Sequence, residues 1–209
     1  MCIRDRCNCE YTTHGHCGTV IDNDVDNDTT LKTLSTQSLI LAKSGADALA
    51  PSDMMDGRVK AIREKLDNNK FEKIPIFPYS VKYSSAFYGP FRDAAKSSPS
   101  FGDRKTYQMN FKNSEEAINE VKFDINEGAE VVIIKPALSY LDIIYRIKER
   151  FNIPIIAYNV SGEYSMVKSA SKNNFIDEIE TILEILHSIK RAGANAIISY
   201  HALDIAKYL

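Results

Sequence analysis

The sequence predicts an α/β fold, an incomplete (β/α)8 TIM barrel of about six strands, and three observations carry that reading. First, Gly45-Ala46-Asp47-Ala48-Leu49-Ala50, Gly128-Ala129-Glu130-Val131-Val132-Ile133 and Gly193-Ala194-Asn195-Ala196-Ile197-Ile198 repeat one pattern, each behind a helical stretch. Glycine there relieves the left-handed residue that closes a helix, and the apolar run behind it suits a strand covered on both faces. Second, two further strands open alike, at Phe71-Glu72-Lys73-Ile74-Pro75-Ile76 and Phe151-Asn152-Ile153-Pro154-Ile155-Ile156, with proline where the start of a strand tolerates it. Third, no GxGxxG or GxxxxGK[ST] follows any strand. That argues against a nucleotide-binding open sheet, and right-handed crossovers then leave the barrel.

In chain order, a first strand is expected over residues 3–10 and helices over 30–44, 57–68, 114–127, 140–151 and 177–192. In the last helix Ile179, Ile182, Leu183, Ile185, Leu186 and Ile189 form an apolar stripe, the pattern of a core face. The acidic stretch over 22–28 imitates a calcium loop, but Asn27 stands where glycine is needed and Thr33 where glutamate is needed. It reads as a solvated loop capping the helix at Thr30. The longest irregular stretch, 82–113, mixes Phe87, Tyr88, Phe91, Phe101 and Tyr107 with Arg92, Arg104 and Lys105. Such loops are functional or disordered, and this composition favours an ordered lid at the C-terminal ends of the strands.

With 209 residues and a net charge of −2, the chain is expected to form one partial barrel domain over 1–209, with no basic surface for nucleic acid. No apolar run suits a membrane span, and Met1-Cys2-Ile3-Arg4-Asp5-Arg6 lacks a secretory apolar segment. A cytoplasmic location is expected. All four cysteines, Cys2, Cys7, Cys9 and Cys17, lie near the start, which makes a disulfide framework improbable.

Two lysines stand out because each ends an apolar, strand-like run: Lys82 after Ile74 to Val81, and Lys135 after Val131-Val132-Ile133-Ile134. A lysine desolvated at a strand end, with a second cation nearby, loses its proton more easily and becomes a nucleophile towards carbonyls. The ordinary reading of any one lysine is a solvated or snorkelling side chain; two in the same structural position weaken it. Cys7 and Cys9 are expected to alternate on one face of a strand, with Cys17 returning after Thr13-His14-Gly15-His16. Three thiolates with an open position describe a catalytic zinc site. Buried, unligated cysteines and a fourth ligand from His14 or His16 are the alternatives.

These residues fall within longer blocks. Cys7-Asn8-Cys9-Glu10-Tyr11-Thr12-Thr13-His14-Gly15-His16-Cys17-Gly18, Ala50-Pro51-Ser52-Asp53-Met54-Met55-Asp56-Gly57-Arg58-Val59, Tyr83-Ser84-Ser85-Ala86-Phe87-Tyr88-Gly89-Pro90-Phe91-Arg92-Asp93-Ala94, Gly102-Asp103-Arg104-Lys105-Thr106-Tyr107-Gln108-Met109, Lys135-Pro136-Ala137 and Val160-Ser161-Gly162-Glu163-Tyr164 closely resemble segments of the δ-aminolevulinic acid dehydratase family. The resemblance runs from about Cys7 to Leu209. It implies a zinc-dependent hydro-lyase that condenses two 5-aminolevulinate molecules into porphobilinogen with loss of two waters, in tetrapyrrole biosynthesis.

Residue by residue, the resemblance implies that Lys135 forms a Schiff base with the first substrate and Lys82 binds the second. It implies that Ser161 and Tyr200 hold the first carboxylate, and that Arg92, Arg104 and Gln108 hold the second. On their own, Ser161 suits a turn, Tyr200 a core aromatic, and the arginines surface pairs with Asp93 and Asp103. Zinc on Cys7, Cys9 and Cys17 would lie beside the second amino group, Asp5 matches an aspartate before the first ligand, and Glu120 matches a ligand of an allosteric magnesium. Family members carry a long segment before the cysteine cluster, so the chain is expected to be a fragment lacking the first barrel strands and an N-terminal arm. The homo-oligomer of the family, an octamer, is for that reason a weakened expectation here. The competing functions are another class I aldolase-like Schiff-base barrel, needing one essential lysine and no metal, and an inactive zinc-binding fragment.

Overall fold

The structure, a computed structural model, describes residues 1–208; Leu209, the last residue of the expected domain, and the side chain of Arg6 lie outside the described residues. Strand β1 (Ile3–Arg6) pairs in parallel with β4 (Ala48–Pro51). Between them β2 (Thr19–Ile21) and β3 (Asp24–Asp26) form an antiparallel hairpin, and α1 (Asn27–Lys43) leads to β4. After α2 (Arg58–Asp67) come β5 (Val81–Lys82), the lid helix α3 (Gly89–Ala95), α4 (Glu115–Asn126) and β6 (Val132–Lys135). The chain continues through α5 (Leu141–Arg150), β7 (Ile155–Asn159), α6 (Ser161–Lys172), α7 (Glu178–Ala192), β8 (Ala196–Ser199) and α8 (Ala202–Ile205).

Strands β5, β6, β7 and β8 are parallel neighbours in that order. The stretch before β5 joins this sheet to β4: Phe77 N–H donates to Leu49 O at 2.7 Å and Tyr79 N–H to Pro51 O at 2.9 Å, while Ile133 N–H donates to Pro78 O at 2.9 Å. Pro75 and Pro78 have no N–H to give, so only Val81–Lys82 completes a regular ladder although the whole stretch is extended. The result is an α/β barrel arc of six parallel strands in sequence order. Among the described residues, the outer edges of β1 and β8 have no strand partner.

Alternation along the strands decides what faces inward. Val132, Ile134, Ile155 and Ala157 pack outward under Val121, Ile144 and Ile147 of the helices, whereas Ile133, Ala50 and Tyr79 pack inside the arc with Ile156 and Tyr158. Each fully buried aliphatic side chain contributes about 1.5–3 kcal/mol. Lys135, two residues beyond Ile133, and Lys82, next after outward-packed Val81, thereby face the barrel mouth.

The structure corrects several expectations. Strand β1 ends at Arg6 rather than residue 10, and the acidic loop is the β2–β3 hairpin, whose Asp22 and Asn23 take φ of 51° and 62° as a primed two-residue turn requires. Helix α1 starts before Thr30, capped by Asp26, whose carboxylate accepts from Thr29 N–H at 2.7 Å. Helix α6 was not signalled because its opening Ser-Gly-Glu is polar and Val167 is its one buried apolar side chain. The α7 stripe is a core face as expected: Ile182 and Ile189 are buried, and Ile179, Leu183, Ile185 and Leu186 pack against the core partly buried, the two leucines also bordering an open groove beside β8. Among the described residues no helix is long and apolar enough to cross a membrane.

The buried ion cluster at α2 is the strongest polar constraint on this core. Arg58, 1% exposed, donates to Met55 O and Tyr79 O, both at 3.0 Å, and faces Asp124 at 3.4 Å and Asp53 at 3.9 Å. Removing the cation strands two buried carboxylates, so Arg58→Ala is expected to lower stability by about 3–5 kcal/mol in urea unfolding. A change below about 1 kcal/mol would show that the cluster does not hold the core.

Candidate active site

Parallel pairing of β5 with β6 sets Lys82 opposite Lys135, and both line one cavity of about 130 Å³ at the C-terminal ends of the strands. Lys135 Nζ lies among aromatic faces, 4.4 Å from the Tyr158 ring centre, 5.2 Å from Tyr88, 5.4 Å from Tyr79 and 5.6 Å from Phe91. Burial, reinforced by the Lys82 charge, lowers its ammonium to about 8. Lys82 is 5% exposed, donates to Ser52 O and lies 5.8 Å from the Tyr79 ring centre.

Lys82 departs from the sequence expectation. Burial acts to lower it, but the charge of the thiol cluster, Cys17 first, outweighs burial and raises it above the ordinary lysine value. The pair is therefore unequal, with the Lys82 ammonium pushed up and that of Lys135 pushed down.

The three sulfur atoms of Cys7, Cys9 and Cys17 lie within 4.8 Å of one another. A tetrahedral zinc ion with bonds of ~2.3 Å holds its sulfurs ~3.8 Å apart, so a small contraction would close the set on a metal. Cys17 is held well below the ordinary thiol range by hydrogen bonds from Cys7 and Cys9, and the bond to Cys17, followed by the contact with Cys9 and burial, raises Cys7. Such proton sharing around one thiolate fits a cation site. Cys7 and Cys9 do not alternate on a strand; Cys7 caps a short 3-10 turn, Asn8–Glu10, that brings the two thiols together.

Neither histidine joins the thiols. His16 is bonded through Nδ1 to Tyr107 OH and through Nε2 to Phe101 O, both at 3.1 Å, and His14 Nδ1 accepts from His16 N–H at 3.1 Å. Gly15, at φ +71°, lies directly against the Ser98 backbone where any side chain would collide. The cysteine loop and the lid are thus packed as one unit.

The lid is ordered as expected, with α3 opened by Gly89-Pro90, a favoured start for a helix. It presents Arg92, Arg104 and Gln108 to the cavity. Arg104 donates to Gly15 O at 2.7 Å and to Ser97 O. Among the described residues, Nε of both arginines and both amide atoms of Gln108 are buried without a hydrogen-bond partner. Buried donors left open in this way form a receptor for an anion.

Ser161 and Tyr200 do not line that cavity. Ser161 Oγ accepts from Phe91 N–H at 3.1 Å, anchoring the lid at the start of α6. Gly162 permits the approach, because a Cβ there would meet Phe87 O at 2.5 Å. Tyr200, 44% exposed, follows β8 and reaches the cavity wall through Tyr158, whose hydroxyl is pushed up by burial and then by a hydrogen bond with Tyr200. Asp5 lines the cavity and accepts from the buried Tyr79 hydroxyl at 2.5 Å. Glu120 stands apart, bordering a separate polar cavity with Glu116 and Asp56; burial raises its carboxyl to about 7. Sequence reasoning missed Tyr158 and Ser52. Tyr158 was detectable as the residue two beyond Ile156 on the inward face of β7, whereas Ser52 meets Lys82 through its backbone carbonyl, which residue type does not signal.

The sequence profile described as Delta-aminolevulinic acid dehydratase matches residues 1–208. Curated relatives of that name from Synechocystis sp. and Bacillus subtilis are each 58% identical, over 211 and 207 residues, covering 99% of this chain and 64% of their own length. The chain therefore spans just under two thirds of these relatives. A crystal structure of delta-aminolevulinic acid dehydratase (porphobilinogen synthase) from Toxoplasma gondii ME49, in complex with the reaction product porphobilinogen, superimposes with a TM-score of 0.97 at 46% identity, covering 99% of this chain and 60% of that one. The barrel arc agrees with this superposition, and the chain belongs to the δ-aminolevulinic acid dehydratase family.

Proposed function

We propose that this chain carries the reaction centre of a porphobilinogen synthase, which joins two 5-aminolevulinate molecules into porphobilinogen and releases two waters. The observation that carries the reading is the register of Lys82 with Lys135 in one cavity walled by the thiol triad and by open anion donors. An aldolase-like centre with a single lysine would need neither the second amine nor the thiols.

Lys135, with its ammonium lowered to about 8, is the amine ready to attack a ketone at neutral pH, giving a carbinolamine that loses water to form the first Schiff base. Its aromatic surround excludes bulk water from that imine and tolerates the cation it becomes on protonation. Ser161 and Tyr200 would take the carboxylate of this first substrate. Lys82 is assigned to the second substrate, whose carboxylate would meet Arg92, Arg104 and Gln108. Planar guanidinium groups suit that role because they bind both carboxylate oxygens. Cys7, Cys9 and Cys17 would hold a zinc ion, which supplies Lewis acidity and positive charge beside the second amino group. Glu120 is assigned to a regulatory magnesium at its separate polar cavity.

Reductive trapping tests the reading. With labelled 5-aminolevulinate and cyanoborohydride, peptide mapping is expected to find label on Lys135, and Lys135→Ala is expected to abolish it. Label confined to surface lysines would refute the proposal. With cyanoborohydride in excess, so that attack by the neutral amine sets the rate, trapping at low ketone concentration is expected to rise roughly tenfold per pH unit up to about 8 and then level off. A rate still climbing at that slope through pH 10 would mean that Lys135 is an ordinary lysine.

A further inference from the structure

Behind the cavity a second carboxylate, used by none of the steps above, is fully enclosed. Glu163, 0% exposed, accepts three N–H bonds. Oε1 takes Leu138 N–H at 2.8 Å, and Oε2 takes Val160 N–H at 2.8 Å and Asn159 Nδ2–H at 2.9 Å. The network continues, since Asn159 Oδ1 accepts from Ser199 Oγ–H at 2.8 Å and Ser199 Oγ accepts from His201 N–H at 3.1 Å.

The donors come from the ends of β6 and β7, and Asn159 links them to the end of β8. Leu138 belongs to the turn after Lys135 on β6, Val160 directly precedes Ser161 after β7, and Ser199 and His201 flank Tyr200 after β8. Burying a carboxylate is costly, and the three convergent donors compensate the cost only if the β6 and β7 ends hold one arrangement, to which Asn159 ties Ser199 of β8. We propose that Glu163 is a positioning residue that fixes Ser161 and Tyr200 relative to Lys135, so that a ketone captured by Lys135 meets its carboxylate site at a set distance. The inference rests on the Schiff-base reading above and deepens it: Glu163 governs recognition of the carboxylate arm rather than reactivity of the amine.

Glutamine preserves shape but points an NH2 group at a backbone N–H, so Glu163→Gln breaks the junction with little change in volume. The test compares capture on Lys135 of levulinate and of 2-pentanone, which carries a methyl group in place of the carboxylate, by cyanoborohydride trapping and peptide mapping. The original chain is expected to favour levulinate, and Glu163→Gln to shrink that preference about tenfold or more while 2-pentanone capture stays within about twofold. Should Glu163→Gln fail to fold, Ser199→Ala cuts only the branch to Tyr200 and is expected to reduce the preference about threefold. Equal losses for both ketones, or an unchanged preference in either variant, would overturn the inference. If the original chain captured both ketones equally at Lys135, the amine chemistry would stand and the positioning role would fall; if it captured neither, the Schiff-base reading itself would fail.

Discussion

Two primary amines brought side by side by the pairing of β5 with β6 are the constraint on which the rest of this structure depends. Parallel strands in register place residues of equal rank at the same height, and inward alternation turns both side chains into one mouth. Neither amine could be tolerated there alone at ordinary charge, because desolvation of an unpaired ammonium is costly. The site resolves the conflict asymmetrically. Thiolate charge stabilises the ammonium of Lys82, and Lys135, farther into an aromatic surround, gives up its proton more easily. Chemistry is thus divided between the two by their neighbours, not by their own type.

The cavity is closed by one cooperative unit made of the cysteine loop and the lid. His16 spends both ring nitrogens on lid atoms, Cys17 N–H donates to Tyr107 OH at 3.3 Å, and Arg104 bonds to Gly15 O. The segment that carries the thiols is therefore also the segment that sets where Arg104 and Gln108 stand. Any ligand that orders one side of this contact favours the other by the same free energy. Phe91 N–H to Ser161 Oγ ties the lid to α6 as well, so the start of α6 is referenced to the same lid.

Much of this was legible in the sequence, and the remainder was hidden for identifiable reasons. Lys82 and Lys135 were visible because an apolar run that ends in a lysine is a local pattern, and five of the six strands because glycine or proline marks their starts. The Cys7, Cys9 and Cys17 trio was visible by spacing, although its turn geometry was not, since alternating residues suit a strand as well as a 3-10 turn. Helix α3 escaped because it buries no side chain, and α6 because its buried face is small and mostly polar, with Ser161, Gly162 and Glu163 held by contacts from distant segments. The raised ammonium of Lys82 was beyond sequence reading because its cause arrives from the far end of the barrel arc. The roles of Ser161, Tyr200, Arg92, Arg104, Gln108 and Glu120 came from family resemblance, and the geometry gathers only the lid residues directly at the lysines.

The central claim is that Lys135 is made nucleophilic by burial together with its charged neighbour. The direct measurement is the titration of the Lys135 side chain by NMR, with lysine labelled at Cε, in the original chain and in Lys82→Met. The account predicts a midpoint of about 8 in the original chain and a rise when the neighbouring charge is removed. A Lys135 midpoint near the ordinary lysine value of ~10.4 in both would contradict it.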